Sequence, residues 1–127
     1  MPTRAHEFDA GLDLYSAYDD VYIFPGESEL FDTGVHIQLP KNTVGFLKSK
    51  SGLNVKYGIT SEGVIDAGYT GSIMVKLYNH SDKTYRVRKG DKISQLVILP
   101  CLLPDLEVVY SLEDTERGTD GFGSTGR

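Results

Sequence analysis

Apolar residues in this chain recur at every second position over short runs, and turn-forming residues separate the runs. Val35, Ile37 and Leu39 alternate with His36 and Gln38, and Ile73, Val75 and Leu77 alternate with Ser72, Met74 and Lys76. A period of two puts successive side chains on opposite faces, so each run predicts a strand with one buried face. Ile93 to Leu99 is almost continuously apolar, the pattern of a strand buried on both faces. Val21 to Phe24 and Leu106 to Val109 are further strand candidates. Turns are marked by Pro25-Gly26, Pro40-Lys41-Asn42, Asn79-His80-Ser81-Asp82, Lys89-Gly90-Asp91 and Pro104-Asp105. One short helix is expected over about Ser51 to Tyr57. This spacing predicts an all-β fold, a jelly-roll-like β-barrel of short strands. With no repeat or linker in view, residues 1–127 read as a single domain, with the barrel over about 1–116 and an arm over 117–127.

Composition narrows the function classes. At 127 residues and 39% hydrophobic content, the chain can bury a substantial core. A net charge of −5 argues against a broad nucleic-acid surface but is compatible with one locally basic nucleotide site. Cys101 is the only cysteine, which excludes an intrachain disulfide. No apolar run reaches membrane length, and Met1 to Asp9 is too polar for a signal peptide. A soluble, intracellular protein without nucleic-acid or membrane partners is expected. His6, His36 and His80 lack zinc spacing to Cys101 and read as surface or turn residues, with Cys101 as a small buried apolar group.

Five polar and glycine-rich clusters interrupt the strands. Ala10-Gly11-Leu12-Asp13-Leu14 sets an acid beside a glycine in an apolar strand. Lys48-Ser49-Lys50-Ser51-Gly52-Leu53 gathers cations and hydroxyls at the helix start, where backbone N–H groups suit an anion. Gly63-Val64-Ile65-Asp66-Ala67-Gly68-Tyr69-Thr70-Gly71 reads as a hairpin carrying an acid and a tyrosine. Gly90-Asp91-Lys92-Ile93-Ser94-Gln95-Leu96 sets a glutamine in an apolar strand. The arm, Arg117 to Arg127, is glycine-rich with Phe122 as its only large apolar group. It cannot build a core, and reads either as a disordered terminus or as a segment that orders on a ligand, with glycine amides and arginines for phosphate and Phe122 for a flat ring.

Taken singly each cluster is ambiguous; together, in this order and spacing from Ala10 to Gly126, they resemble the homotrimeric dUTP diphosphatase (dUTPase) family. The resemblance implies hydrolysis of dUTP to dUMP and pyrophosphate, assisted by Mg2+, in a homotrimer with shared active sites. It implies that Asp66, in GVIDxxYxG, is the base that takes a proton from water attacking the α-phosphate. Without that motif, Asp66 would read as a turn cap. Tyr69 is implied to pack under the deoxyribose and reject a 2′-hydroxyl by collision; its plainer reading is a core tyrosine. Uracil is implied to meet main-chain groups of the same hairpin, around Gly63, Ile65 and Met74. Lys50, Ser51, Gly52 and Gln95 are implied to bind phosphates. Lys50 stands where the family usually has arginine, which keeps the charge but loses the bidentate fork. Asp13 is implied to approach the metal indirectly, through water, with a structural strand-end aspartate as the competing reading. In the arm, Arg117 is implied to meet the γ-phosphate region, Phe122 to cover the uracil, and Gly123, Ser124 and Thr125 to contact phosphate. Asp120 replaces a usual glycine.

Two other functions share these residues. A dCTP deaminase-like enzyme of the same fold needs an acid on the strand after the hairpin, and Ser72 to Tyr78 has none. A nucleotide-binding regulator without catalysis would not need Asp66, Tyr69 and Phe122 together.

Overall fold

A computed structural model of the chain describes residues 1–123 and Gly126. Among these residues the order is β1 (Gly11–Tyr15), β2 (Val21–Ile23), β3 (Ser28–His36), β4 (Thr43–Lys48), α1 (Ser51–Tyr57), β5 (Ile59–Thr60), β6 (Glu62–Asp66), β7 (Ser72–Asn79), β8 (Tyr85–Val87) and β9 (Lys92–Pro100). The strands form an all-β, jelly-roll-like fold from three antiparallel sheets, in the orders β1-β9-β4-β6, β2-β8 and β3-β7-β5. No helix among the described residues is long and apolar enough to cross a membrane.

Period two is clearest in β7, where Ile73, Val75, Leu77 and Asn79 are buried while Met74, Lys76 and Tyr78 are exposed. Ile73, Val75 and Leu77 join Leu14, Phe31, Leu47, Ile65 and Leu96 from the other strands in one apolar cluster. The helix lies where expected. It stops at Gly58, whose left-handed φ of 66° lets its N–H reach the carbonyls of Asn54 and Leu53.

Four expectations are corrected. The alternation at Val35 to Leu39 is strand only at its start, because β3 pairs with β7 and that pairing ends at His36 opposite Ser72. β9 is buried only in its first half; Ile98 and Leu99 are exposed, since the chain supplies no second layer over them. Leu106 to Val109 forms no strand: it has no partner strand among the described residues, and Leu106 and Val108 are 96% and 99% exposed. Cys101 is partly exposed, because it follows the end of β9, where its N–H donates to the Asn42 carbonyl.

Buried polar groups are few and satisfied: among the described residues, no buried side-chain N or O lacks a partner. Asn79, 1% exposed, is the most fully engaged. Its amide donates to the Ile23 and Lys83 carbonyls, both at 2.8 Å, and its Oδ1 accepts from Ser81 N–H at 2.9 Å and the Ser81 hydroxyl at 2.7 Å. Asn79→Ala strands the buried Ile23 carbonyl and frees the Lys83 carbonyl. It is expected to cost about 2 kcal/mol and to lower the thermal unfolding midpoint by several degrees. An unchanged midpoint by calorimetry would show that the β7–β8 turn does not depend on this amide.

Candidate functional site

The candidate residues gather in two places. The first is the connection from β6 to β7. The sequence pattern suggested a hairpin, but β6 pairs with β4 while β7 pairs with β3 and β5. The segment Asp66 to Ser72 is therefore a corner between two sheets, and the space beside it is a cleft instead of a ladder. That cleft is a cavity of about 290 Å³ whose lining includes Gly63, Ile65, Asp66, Tyr69 and Met74. It sits at the small end of ligand pockets, which run from about 300 Å³ upward.

Asp66 ends β6 and is exposed, and its carboxylate makes no hydrogen bond or ion pair with the described residues. Its carbonyl accepts from Tyr69 N–H at 3.0 Å, closing the turn. Tyr69 folds back over the chain, and its hydroxyl donates to the Ser72 carbonyl at 2.6 Å. Gly71 makes this possible: a Cβ there would stand 2.5 Å from the Tyr69 hydroxyl and 2.7 Å from Cζ. The corner is braced from β3. His36 Nδ1 donates to the Thr70 carbonyl at 2.9 Å, and the Thr33 hydroxyl donates to the Ile73 carbonyl at 2.7 Å. The Ser72 hydroxyl donates to Asp32, which also accepts from Gly34 N–H at 3.0 Å. These two bonds hold the Asp32 carboxyl below its ordinary value, the Ser72 bond most.

The second place lies where β1, β9 and the β4–α1 turn meet. Asp13, 2% exposed, accepts from Lys50 Nζ at 2.5 Å on one oxygen and faces Lys92 Nζ at 3.2 Å on the other. Burial pushes the Asp13 carboxyl up, but the two ammonium groups outweigh it and leave the carboxyl below its ordinary value. Lys92 is correspondingly raised by its bond to Asp13. Gln95 sits opposite Asp13 in the ladder and donates to the Ser49 carbonyl at 2.9 Å. A serine network fixes the same turn: Ser49 Oγ accepts from Ser61 N–H at 3.0 Å, the Ser61 and Ser94 hydroxyls lie 2.8 Å apart, and Ser94 Oγ donates to the Lys48 carbonyl at 3.0 Å. Gly11, Asp13, Lys50 and Gln95 line a cavity of about 370 Å³. Gly11 leaves room for Gln95, since a Cβ would meet its Oε1 at 2.1 Å. Ser51 and Gly52 are exposed in the first turn of α1, next to Lys50.

The two cavities share no lining residue. Arg117, Phe122 and Gly123 line neither of them: Arg117 Nε donates to the Asp120 carbonyl at 2.7 Å, and the Phe122 ring is fully exposed. Ser124 and Thr125 lie outside the described residues. Among the described residues, no group of three or more His, Cys, Asp or Glu side chains could hold a metal ion. Asp13, expected near a metal through water, holds two ammonium groups here. Sequence reading missed Lys92, the serine network and the β3 brace, because their partners come from distant strands.

A family model described as dUTPase matches residues 1–126. The chain is 45% identical over 130 residues to a deoxyuridine 5'-triphosphate nucleotidohydrolase of Clostridium tetani, covering 100% of this chain and 89% of that one. It is 48% identical to the protein of the same name from Clostridium kluyveri, covering 99% and 90%. Among solved structures, the Staphylococcus bacteriophage 80alpha dUTPase with dUpNHpp superposes with a TM-score of 0.92 at 35% identity, covering 100% of this chain and 92% of that one. A dUTPase from phage phi11 of S. aureus, described for the coordination of a structural Mg(II) ion, gives 0.81 at 32% identity, covering 90% and 92%.

Gly71→Ala should push the Tyr69 ring off the backbone and break its bond to Ser72, leaving the barrel intact. The check is the Tyr69 ring resonances by NMR, assigned by their loss in Tyr69→Phe. Unmoved resonances in Gly71→Ala would show that the ring does not need the glycine.

Proposed function

The chain belongs to the dUTPase family, and on that premise we propose that it hydrolyses dUTP to dUMP and pyrophosphate with Asp66 as the general base. One observation carries this reading: an exposed, unengaged carboxylate stands at a cavity of nucleoside size beside the Tyr69 ring. Water attacks the α-phosphorus, its oxygen forms the new P–O bond, and its proton passes to Asp66. The bond from the α-phosphorus to the bridging oxygen breaks, and pyrophosphate leaves. The Tyr69 ring, fixed by its hydroxyl, closes the sugar side of the cleft against a 2′-hydroxyl. Main-chain groups around Gly63, Ile65 and Met74 read the uracil edge. Lys50, Ser51, Gly52 and Gln95 receive the phosphates.

The donor set suits a metal ion that arrives with the nucleotide, so the substrate is written as Mg2+–dUTP. When bound, the ion neutralises phosphate charge. Among the described residues no three His, Cys, Asp or Glu side chains converge, so the phosphates would be the main ligands of such an ion.

The separation of the two cavities supports sites shared between copies in a homotrimer. One chain supplies Lys50, Ser51 and Gln95, a second supplies Asp66 and Tyr69, and the arm over 117–127 of a third closes with Phe122 on the base and Arg117, Gly123, Ser124 and Thr125 toward the phosphates. Exposed Val64, Ile98 and Leu99, with the apolar pocket of Phe46, Val97 and Leu99, provide surface for such contacts.

Asp66→Asn keeps the shape but cannot accept the proton. Its turnover of dUTP should fall about 10²–10⁴-fold with binding of dUpNHpp retained. Near-normal pyrophosphate release would assign the base elsewhere, and release from dTTP or UTP at comparable rates, or deamination of dCTP, would overturn the substrate reading.

Chains lacking 118–127 should remain folded yet turn over dUTP poorly, since closure sets the reacting geometry. Co-refolding them with Asp66→Asn chains should recover activity, because some mixed sites then draw the base from one chain and the arm from another. No recovery from mixtures shown to contain both chains would rule out shared sites.

A further inference from the structure

We infer that Lys92 is a positioning residue for phosphate binding: by sharing the Asp13 carboxylate it keeps the Lys50 ammonium available to an incoming anion. This rests on the reading of Lys50 as a phosphate-binding group, and adds to it a residue of the Gly90 to Leu96 cluster that had been given no role at the site.

The observation is a buried carboxylate with two cationic partners. Asp13 is 2% exposed, so bulk water cannot balance its charge. Lys50 Nζ lies 2.5 Å from one of its oxygens and Lys92 Nζ lies 3.2 Å from the other. If Lys50 were the only partner, the two would form a closed pair. A phosphate recruiting Lys50 would then compete with the carboxylate and leave a buried negative charge poorly compensated. With Lys92 on the second oxygen, the cluster carries one negative and two positive charges. Asp13 keeps a partner when Lys50 turns toward the anion, and Lys92 offsets part of the negative charge that Asp9 and Asp13 bring to the cavity.

Backbone geometry gives Lys92 this position. The β1–β9 register shifts between Leu14 and Tyr15: Leu14 pairs with Ser94 and Tyr15 with Lys92, leaving Ile93 without a partner in β1. Ile93 and Ser94 are accordingly both buried. The extra residue brings Lys92 out on the side of Gln95 and Asp13. Lys92 itself does not line the cavity that contains Lys50, Asp13 and Gln95. Its route to the ligand is through Asp13.

The test is a double-mutant cycle read by titration of dUpNHpp and by steady-state hydrolysis of dUTP. Lys92→Met should weaken analogue binding and raise KM about three- to tenfold, the range between an exposed ion pair and a charge-assisted bond. It should leave kcat and the thermal midpoint near those of the parent, because Lys50 still neutralises Asp13 in the free protein. Lys92→Arg should restore binding. In an Asp13→Asn background, Lys92→Met should have no effect on binding, since no buried charge remains to be shared. Unchanged binding in Lys92→Met would overturn the inference. So would a loss that persists undiminished in the Asp13→Asn background, which would make Lys92 a direct phosphate contact. A lower thermal midpoint with unaltered binding would make Lys92 merely structural. Failure of the parent protein to hydrolyse dUTP would instead overturn the preceding functional reading, and is separable from all of these outcomes.

Discussion

The pairing of β9 with β1 on one edge and β4 on the other is the constraint on which the rest depends. In that register Gln95 stands opposite Asp13 and Lys48, while Leu96 stands opposite Leu12 and Leu47. A slip of one residue would reverse the faces, sending Gln95 toward the core and Leu96 toward solvent. Leu96 is buried with Leu14 and Leu47 in the apolar cluster, so hydrophobic burial resists the slip. The same packing therefore fixes the core and brings Asp13, Lys50, Lys92 and Gln95 together. Polar site geometry here is a consequence of where a leucine must go.

Burial of polar groups around the β4–α1 turn has a related logic. A single neutral hydrogen bond adds only about 0.5–1.5 kcal/mol net, whereas stranding a buried donor or acceptor costs more. Ser49, Ser61, Ser94 and Gln95 form linked bonds across two strands and a turn. Moving the turn would strand several of them at once. Lys50 emerges from this turn as the residue before α1, without capping the helix through its side chain. Its ammonium engages Asp13, and in the proposed phosphate contact a backbone held by these bonds would carry a flexible side chain.

Elements were legible where local pattern and tertiary burial agree. β7 alternates in sequence and in burial, and α1 spans the expected residues before its glycine stop. Leu106 to Val109 has a strand-like composition but no partner among the described residues, and propensity alone cannot supply one. The cluster around Asp66 was legible from motif spacing, but not its topology: a turn within one sheet and a corner between two sheets have the same residues. Lys92 was invisible because the β1–β9 register shift that presents it arises from pairing. Nothing in Lys92-Ile93-Ser94 marks a bulge in advance. Gly71 was named only as the last letter of a motif; the 2.5 Å approach of a Cβ to the Tyr69 hydroxyl gives the reason for it.

The proposed assembly would account for both the exposed apolar residues and the divided cavities. Val64, Ile98 and Leu99 project from the same sheet that carries Asp66 and Gln95, and Leu102, Leu103 and Leu106 follow β9 uncovered. Apolar area left in water forgoes about 25 cal/mol for each Å² that could be buried. Large exposed apolar patches generally mark contact surfaces. A single copy holds a cleft beside Asp66 and Tyr69 and a cation-bearing cleft with no lining residue in common, while the proposed binding of dUTP would need both kinds of contact at once. Packing copies through the apolar surface of this sheet would cover that area. The same packing can bring the cation-bearing cleft of one copy to the cleft of another. In the proposed assembly one interface would serve both stability and chemistry, and the cost of losing it would fall on both.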